Sequence, residues 1–348
     1  MQSLRKFALG LAQCGLVAAA AWALPGSVAK AQDKVTIAVP GIPPVFGGLP
    51  AYVARDHGFF KKYNLDVEIR PIATGVAAAS AVIAGNIDLS FSPSQYTAAA
   101  IANSNAPLQA IWGLDNDDWL LGSTDGSKTD CDSLKGQGVA VDAKGGARWL
   151  QLNTILLIKC KLRIDVDVKT VPMSSNGATA MASGQLTFGI LHYDDVALIQ
   201  RMSGKKVHTM ATIAEVSPGI HYLMLVGHRE RMAKRRDVFV RVVAALADAA
   251  DFMHNPANLA AAAKSAAPTQ RPPDAAADAI QYLNKILFFP NGTAGLDREK
   301  LAKAIANQVR VGNISKGKSG IEPGKTPPTV ERLADFSFWD SAQKLRGK

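Results

Sequence analysis

Cysteine is scarce in this chain. There are three in 348 residues, Cys14, Cys131 and Cys160, with no C-x-x-C pair and no Cys/His spacing that would suit a metal. No metal site and no cofactor is therefore expected. Aromatic residues make up only 7% of the sequence, and the formal net charge of +10 is scattered along it. Without a basic stripe interleaved with aromatics, nucleic acid is not an expected partner. No serine, cysteine or threonine stands in an evident strand-to-helix elbow, so nothing marks an activated nucleophile and the chain does not read as an enzyme. Long apolar runs are also missing, apart from one at the start.

That run covers residues 7–24 and is rich in alanine. Arg5 and Lys6 precede it, Pro25 and Gly26 break it, and Ala29-Lys30-Ala31 puts small residues at −3 and −1 before Gln32. This is the layout of a secretory signal peptide cleaved after Ala31, which implies a periplasmic location. The run is just long enough to span a bilayer, but the helix breaker and the small-residue site favour cleavage. A lipoprotein reading at Leu11-Ala12-Gln13-Cys14 is disfavoured by the large polar Gln13. Loss of Arg5, Lys6 and Lys30 takes the net charge from +10 to +7. Residues 32–348 suffice for one large or two medium domains. In an oxidising compartment Cys131 and Cys160 can pair. Cys131 precedes a predicted strand and Cys160 ends the next predicted helix, at the same edge of a βα unit. A bridge and two separate buried thiols are both compatible with that placement.

Past residue 34, short apolar runs alternate with amphipathic or Ala-rich segments. Strands are predicted at 35–39, 66–70, 87–91 and 108–112, with helices at 52–62, 76–84 and 96–103 between them. The series restarts with strands at 138–141, 167–171 and 188–191 and helices at 147–160 and 179–183. This repetition means parallel βαβ units in two sets. Helices follow at 229–254, 275–287 and 297–309, then a Gly/Pro/Lys-rich loop at 314–328 and a short closing helix.

The segment holding Ala54, Gly58-Phe59-Phe60 and Leu65-Asp66-Val67 reads A-x-x-x-G-F-F-x-x-x-x-L-D-V, and Ala-Gly-Asn-Ile-Asp-Leu-Ser-Phe follows at 84–91. With Leu134-Lys135-Gly136, Ala182-Ser183-Gly184-Gln185 and the tail at 333–338, this resembles the nitrate/sulfonate/taurine and thiamine-precursor branch of periplasmic substrate-binding proteins. Each motif also has a plain scaffold role, as a helix stop or a strand entry. The resemblance implies an α/β, two-lobed periplasmic-binding-protein fold of type II. Each lobe would be a mostly parallel sheet flanked by helices, joined by two crossover hinge strands near 119–123 and 221–227. The lobes are expected at 32–120 with 222–348, and at 121–221. The implied partners are a small-molecule solute and an inner-membrane ABC permease, for a monomer with no cofactor.

Ligands of open parallel sheets bind beyond the carboxyl ends of the strands. After the first strand come Gly41, Ile42, Pro44 and Phe46; Phe46 either stacks on a flat ligand or plugs the core. Thr74 follows the second strand, as a helix cap or a ligand donor. Ser92, Ser94 and Gln95 follow the third, at a helix start suited to an anion, and Trp112 ends the fourth as an aromatic wall. In the second set, residues 142–148 place a flexible turn, Lys144 and Arg148 at another helix start, and Asn176 lies in the turn 174–177. His192 and Asp194, in His192-Tyr193-Asp194-Asp195, can accept from an amine or aminopyrimidine, although one acid can simply cap the next helix. His221, beside Tyr222, is a further candidate at the return crossover. Helix starts and Arg148 suggest an anion; the His-Asp-Asp group suggests an amine. The expected solute is a sulfonate, a carboxylate or a nitrogen heterocycle.

Residues 312–319 match G-x-x-x-x-G-K-[ST], but no buried strand precedes them and Gly320, Pro323 and Gly324 oppose a following helix, so they read as a basic loop. The rival functions are an enzyme of the thiamine-pyrimidine-synthase type, whose cysteine-rich segment is absent here, and a ligand-bound partner of a membrane sensor.

Overall fold

The structure, a computed structural model, describes residues 31–173, 176–314 and 326–348. Residues 1–30, which hold all but the last residue of the signal peptide expected at 1–31, Ser174 and Ser175, and the Gly/Lys-rich stretch at 315–325 with most of the phosphate-loop-like run lie outside the described residues.

Ten strands form two five-stranded sheets. The first contains β1 (Asp33–Pro40), β2 (Leu65–Ile72), β3 (Leu89–Pro93), β4 (Leu108–Leu114) and β10 (Leu223–His228), in the order β2-β1-β3-β10-β4. The second contains β5 (Leu120–Ser123), β6 (Gly138–Val141), β7 (Lys169–Pro172), β8 (Phe188–Leu191) and β9 (His208–Thr212), in the order β7-β6-β8-β5-β9. β1 pairs in parallel with β2 from Asp33↔Leu65 to Pro40↔Ile72, and β6 pairs likewise with β7 and β8. Each sheet has one antiparallel member, β10 in the first and β5 in the second. Both have just crossed from the other sheet. A chain that leaves one sheet at its carboxyl edge meets the facing edge of the other and must run against its neighbours. The two crossings, at residues 115–119 and 213–222, thus join two mostly parallel α/β lobes whose carboxyl edges face one another.

Apolar strands make the cores. Ile37, Val39, Leu89, Phe91, Leu225 and Val226 are buried in the first sheet, as are Val139, Phe188 and Ile190 in the second. The helix predicted at 52–62 is two, Leu49–Asp56 and Phe59–Lys62, because Gly58 takes φ 75° between them. The long C-terminal helix likewise divides at Arg235 into Arg229–Lys234 and Arg236–His254. β9 is not predicted from the sequence: in His-Thr-Met-Ala-Thr only Ala211 is buried, as suits an edge strand. Beyond residue 155 the predicted helix 147–160 widens into a π-helical turn, Leu156–Cys160. Cys160 at its end is disulfide-bonded to Cys131, with Cα atoms 5.3 Å apart. The pairing left open by the sequence is thereby made, and the entry to β6 is tied to the helix that follows it.

Candidate functional site

The carboxyl edges of the two sheets enclose a cleft with about 430 Å³ of space not filled by protein, part of it open to solvent. The first lobe contributes Pro40, Gly41 and Val45 after β1, Ala73, Thr74 and Gly75 after β2, Pro93 at the end of β3, and Leu223. The second contributes Asp142, Ala147, Arg148 and His192. Trp119 and Tyr222, one on each crossover, close its floor. Most of this lining is apolar, so the polar groups decide what it accepts.

His192 caps the helix Tyr193–Ser203 directly after β8. Its Nδ1 lies 2.6 Å from Asp118 Oδ1, and the Tyr222 hydroxyl lies 2.9 Å from its Nε2. A carboxylate cannot donate, so Nδ1–H donates to Asp118, and the second ring nitrogen is paired with the Tyr222 hydroxyl. Both ring nitrogens are engaged, so the amine-accepting role expected of this imidazole is already filled from within. Its ring face lies against Trp119, with centroids 3.4 Å apart. Burial raises the Tyr222 pKa well above its ordinary value, with Asp118 and Asp117 adding to the effect.

Next to the cleft lies a buried ionic group. Arg148 Nη2 meets Asp195 Oδ2 at 3.0 Å and its Nη1 donates to the Ile190 carbonyl. Arg271 Nη2 lies 2.7 Å from Asp195 Oδ1 and 2.6 Å from Asp194 Oδ2, while its Nη1 donates to Thr269 O at 3.1 Å. Asp195 Oδ2 also caps the helix by accepting from His192 N at 3.1 Å. Burial opposes charge on all four groups. For Arg148 the carboxylates of Asp195 and Asp142 outweigh it and hold the pKa above its ordinary value, and Asp194 and Asp195 do the same for Arg271. Asp195, between two arginines, is held below the usual carboxylate range, whereas burial leaves Asp194 above it. Arg271 comes from the C-terminal helical region of the first lobe, and its partners from the second, so the cluster spans the interface.

Besides the start of Tyr193–Ser203, three helix starts approach the cleft, and each is met from within the chain. At Ala147–Ile155 the Asp142 carboxylate accepts from Ala143 N at 2.8 Å and lies 3.4 Å from Trp149 N. A carboxylate of the chain's own thus stands where the sequence suggests a bound anion. At Ser94–Ser104, Ser94 N donates to Tyr222 O at 2.7 Å and Ser94 Oγ donates to His221 O at 2.5 Å, so backbone carbonyls of the crossover fill that start. At Gly75–Ala84, Thr74 faces the cleft and caps the helix, accepting from Ala77 N at 3.1 Å.

Of the sequence candidates, Gly41, Thr74, Arg148 and His192 are in the cleft lining. Pro44, Phe46 and Asp194 surround the ionic cluster instead. Phe46 is a core residue, 2% exposed, and Ile42 points away, 56% exposed. Ser92 is buried and hydrogen-bonded to Thr97. Gln95 is buried beneath the helix start, its Oε1 accepting from Ser94 Oγ, and Asn176 is exposed. Trp112 is corrected from cleft wall to core, because β4 runs on to Leu114 and buries it edge-on against Phe91. His221 is corrected likewise: it is fully buried and its Nε2 contacts the Gly295 carbonyl. Lys144 is exposed beside Asp165. Trp119 and Arg271 are not among the site residues expected from the sequence, and Asp142 enters that expectation only as part of the turn 142–148; the place of Trp119 at a crossover is the signal that could have found it.

Two consequences can be measured. Burial pushes the His221 pKa down from 6.5 to about 4, against the opposing pull of the Gly295 carbonyl. The unfolded state then binds the proton first, so stability is full above pH 6.5 and falls as pH drops toward 4, by about 3 kcal/mol. Urea unfolding across that window should show this slope, and His221→Gln should flatten it; equal slopes in both proteins would contradict the assignment. Arg271→Met leaves Asp194 and Asp195 short of a counter-charge, a change that costs about 3–5 kcal/mol if the cluster stays buried. Separation of the lobes relieves that cost. The ligand-free variant should therefore show a larger radius of gyration by X-ray scattering or a lower unfolding midpoint. Neither changing would remove Arg271 as an interlobe tie.

Comparison with known proteins places this geometry. A curated protein of Bacillus subtilis (strain 168), YtlA, provisionally named a binding protein, is 25% identical over 211 residues, which is 59% of this chain. The match spans 62% of that protein's length. The periplasmic nitrate-binding protein NrtA of Synechocystis PCC 6803 superposes with a TM-score of 0.72 at 11% identity, covering 90% of this chain and 89% of that one. The desulfurization enzyme DSZB superposes with a TM-score of 0.58 at 13% identity, covering 90% of this chain and all of that one (100%). Such likeness establishes the shared two-lobed α/β fold. The family described as NMT1/THI5 like matches residues 46–259, more than half of the sequence, and the chain belongs to that family.

Proposed function

We propose that this chain is the exported, periplasmic solute-binding component of an ABC-type import system, and that it delivers a small solute from the interlobe cleft to a membrane permease. Family membership, a fold shared with a periplasmic nitrate-binding protein, and a cleft floored by two crossovers support this reading. Lobes at 32–120 with 222–348 and at 121–221 would close about those crossovers as a hinge.

The solute is a flat, amine-bearing nitrogen heterocycle in preference to a nitrate-like or sulfonate anion. The observation that carries this is the Asp142 carboxylate across the start of the helix Ala147–Ile155. It occupies the positive helix end that would otherwise attract an anion, and it presents an acceptor to an amine. The guanidinium of Arg148 is neutralised by Asp195. The indole of Trp119 gives a planar solute an aromatic surface among apolar walls.

Binding rather than catalysis belongs to the same proposal, although one protein of this fold is an enzyme. The alignment Tyr222–His192–Asp118 looks like a relay, but the raised pKa of Tyr222 keeps its hydroxyl protonated at neutral pH. Cys131 and Cys160 are bonded to one another.

A thermal-shift screen over aminopyrimidines, other amine-bearing heterocycles, sulfonates and aromatic acids tests the reading. A ligand at 100 times its Kd adds about 2.7 kcal/mol of stability. The amine-bearing heterocycles should raise the melting temperature, and Asp142→Asn should weaken that response. Stabilisation by sulfonates alone, unchanged in Asp142→Asn, would overturn the ligand assignment.

A further inference from the structure

Behind the cleft floor, on the far side of the crossovers, lies a second cavity with about 880 Å³ of empty space, open solvent included. Its wall is drawn from both crossings and both lobes: Asp117, Asp118 and Trp119 from the first crossing, Ser217 from the second, Tyr193 from the second lobe and Tyr282 from the C-terminal helices. The solute cleft uses the other side of Trp119, and of these six residues shares that one alone.

We propose that this hinge-side cavity is a second binding site, for a small organic ammonium ion. Three observations converge on that chemistry. Asp117 faces the cavity with no cationic partner among the described residues; its carboxylate accepts from Trp119 N at 2.7 Å and lies 3.4 Å from the Gln151 amide nitrogen. The ammonium of the nearby Lys300 is held by Asp115 Oδ1 at 2.6 Å and Asn116 Oδ1 at 2.7 Å, not by Asp117. Tyr193 and Tyr282 stack with centroids 3.7 Å apart and 7° between planes, which gives the wall the aromatic surface that attracts organic cations.

The carboxyl of Asp117 is surrounded by protein, and burial, with the neighbouring Asp118, raises its pKa well above the ordinary value. A bound ammonium would reverse that. Because the cavity is bounded by both crossings and by Tyr193 and Tyr282 from opposite lobes, an occupant also touches every part that must move when the lobes separate.

Choline and ethanolamine are the probes. Calorimetric titration of the mature protein at millimolar probe should show binding of at least one of them. Asp117→Asn should weaken it by about tenfold or more, equivalent to about 1.4 kcal/mol, and Tyr282→Ala should weaken it independently should the first variant fold poorly. Asp142→Asn, which alters only the solute cleft, should leave the titration unchanged. No heat from either probe, or binding that survives both Asp117→Asn and Tyr282→Ala, overturns the proposal. Binding lost in Asp142→Asn but kept in Asp117→Asn assigns the ammonium to the solute cleft and overturns it equally. Because Asp142→Asn reports on the solute cleft and Asp117→Asn on the hinge-side cavity, the two sites are told apart.

Discussion

The arrangement depends on one buried ionic cluster. Arg271 crosses from the first lobe to Asp194 and Asp195 of the second, and Asp195 in turn holds Arg148 at the cleft wall. Charges so enclosed are tolerable only when paired. The pairing therefore fixes where the helix after β8 sits relative to the C-terminal helices, and with it the orientation of His192, Tyr193 and Trp119. Arg201 with Asp274 and the Tyr193–Tyr282 stack extend the same contact toward the surface. Separating these groups would exchange their pairings for hydration, two terms that largely offset, so the cluster acts by specifying where the two parts meet.

The same logic underlies the proposed preference for an amine-bearing solute. A helix start facing a ligand site is an anion receptor by default. Here Asp142 covers one, and the carbonyls of His221 and Tyr222 fill another. Fold neighbours that carry nitrate share the scaffold without fixing the chemistry of this site, because the scaffold only delivers strand ends to a common place. What is delivered there is local sequence.

Much of the scaffold was legible in the sequence. The alternation of apolar runs with Ala-rich helices marks β1 to β4 and β6 to β8 as strands of two α/β sets, though not their order within the sheets, and the rule of carboxyl ends leads to Gly41, Thr74, Arg148 and His192. Three kinds of residue escaped. Trp112 and Trp119 look alike in a one-dimensional pattern, and two extra residues of β4 decide which is core. His221 and Tyr222 are adjacent in extended backbone and point opposite ways, so choosing between them needed the sheet: Tyr222 faces His192 while His221 faces Gly295. Arg271 sits in a Pro-flanked loop without periodicity, and its partners lie 76 and 77 positions away. No local pattern encodes such a pairing. Asp142 was visible but was read as part of a turn, since capping by a carboxylate and welcoming one are opposite uses of the same helix start.

The central claim is that the cleft carries a small amine-bearing solute. Native mass spectrometry of the protein, purified from its own cells without denaturation, tests it most directly. The account predicts an adduct of small mass, released on unfolding, whose composition is that of a nitrogen heterocycle with an amine. Recovery of a sulfonate or an inorganic anion as the released species would contradict it.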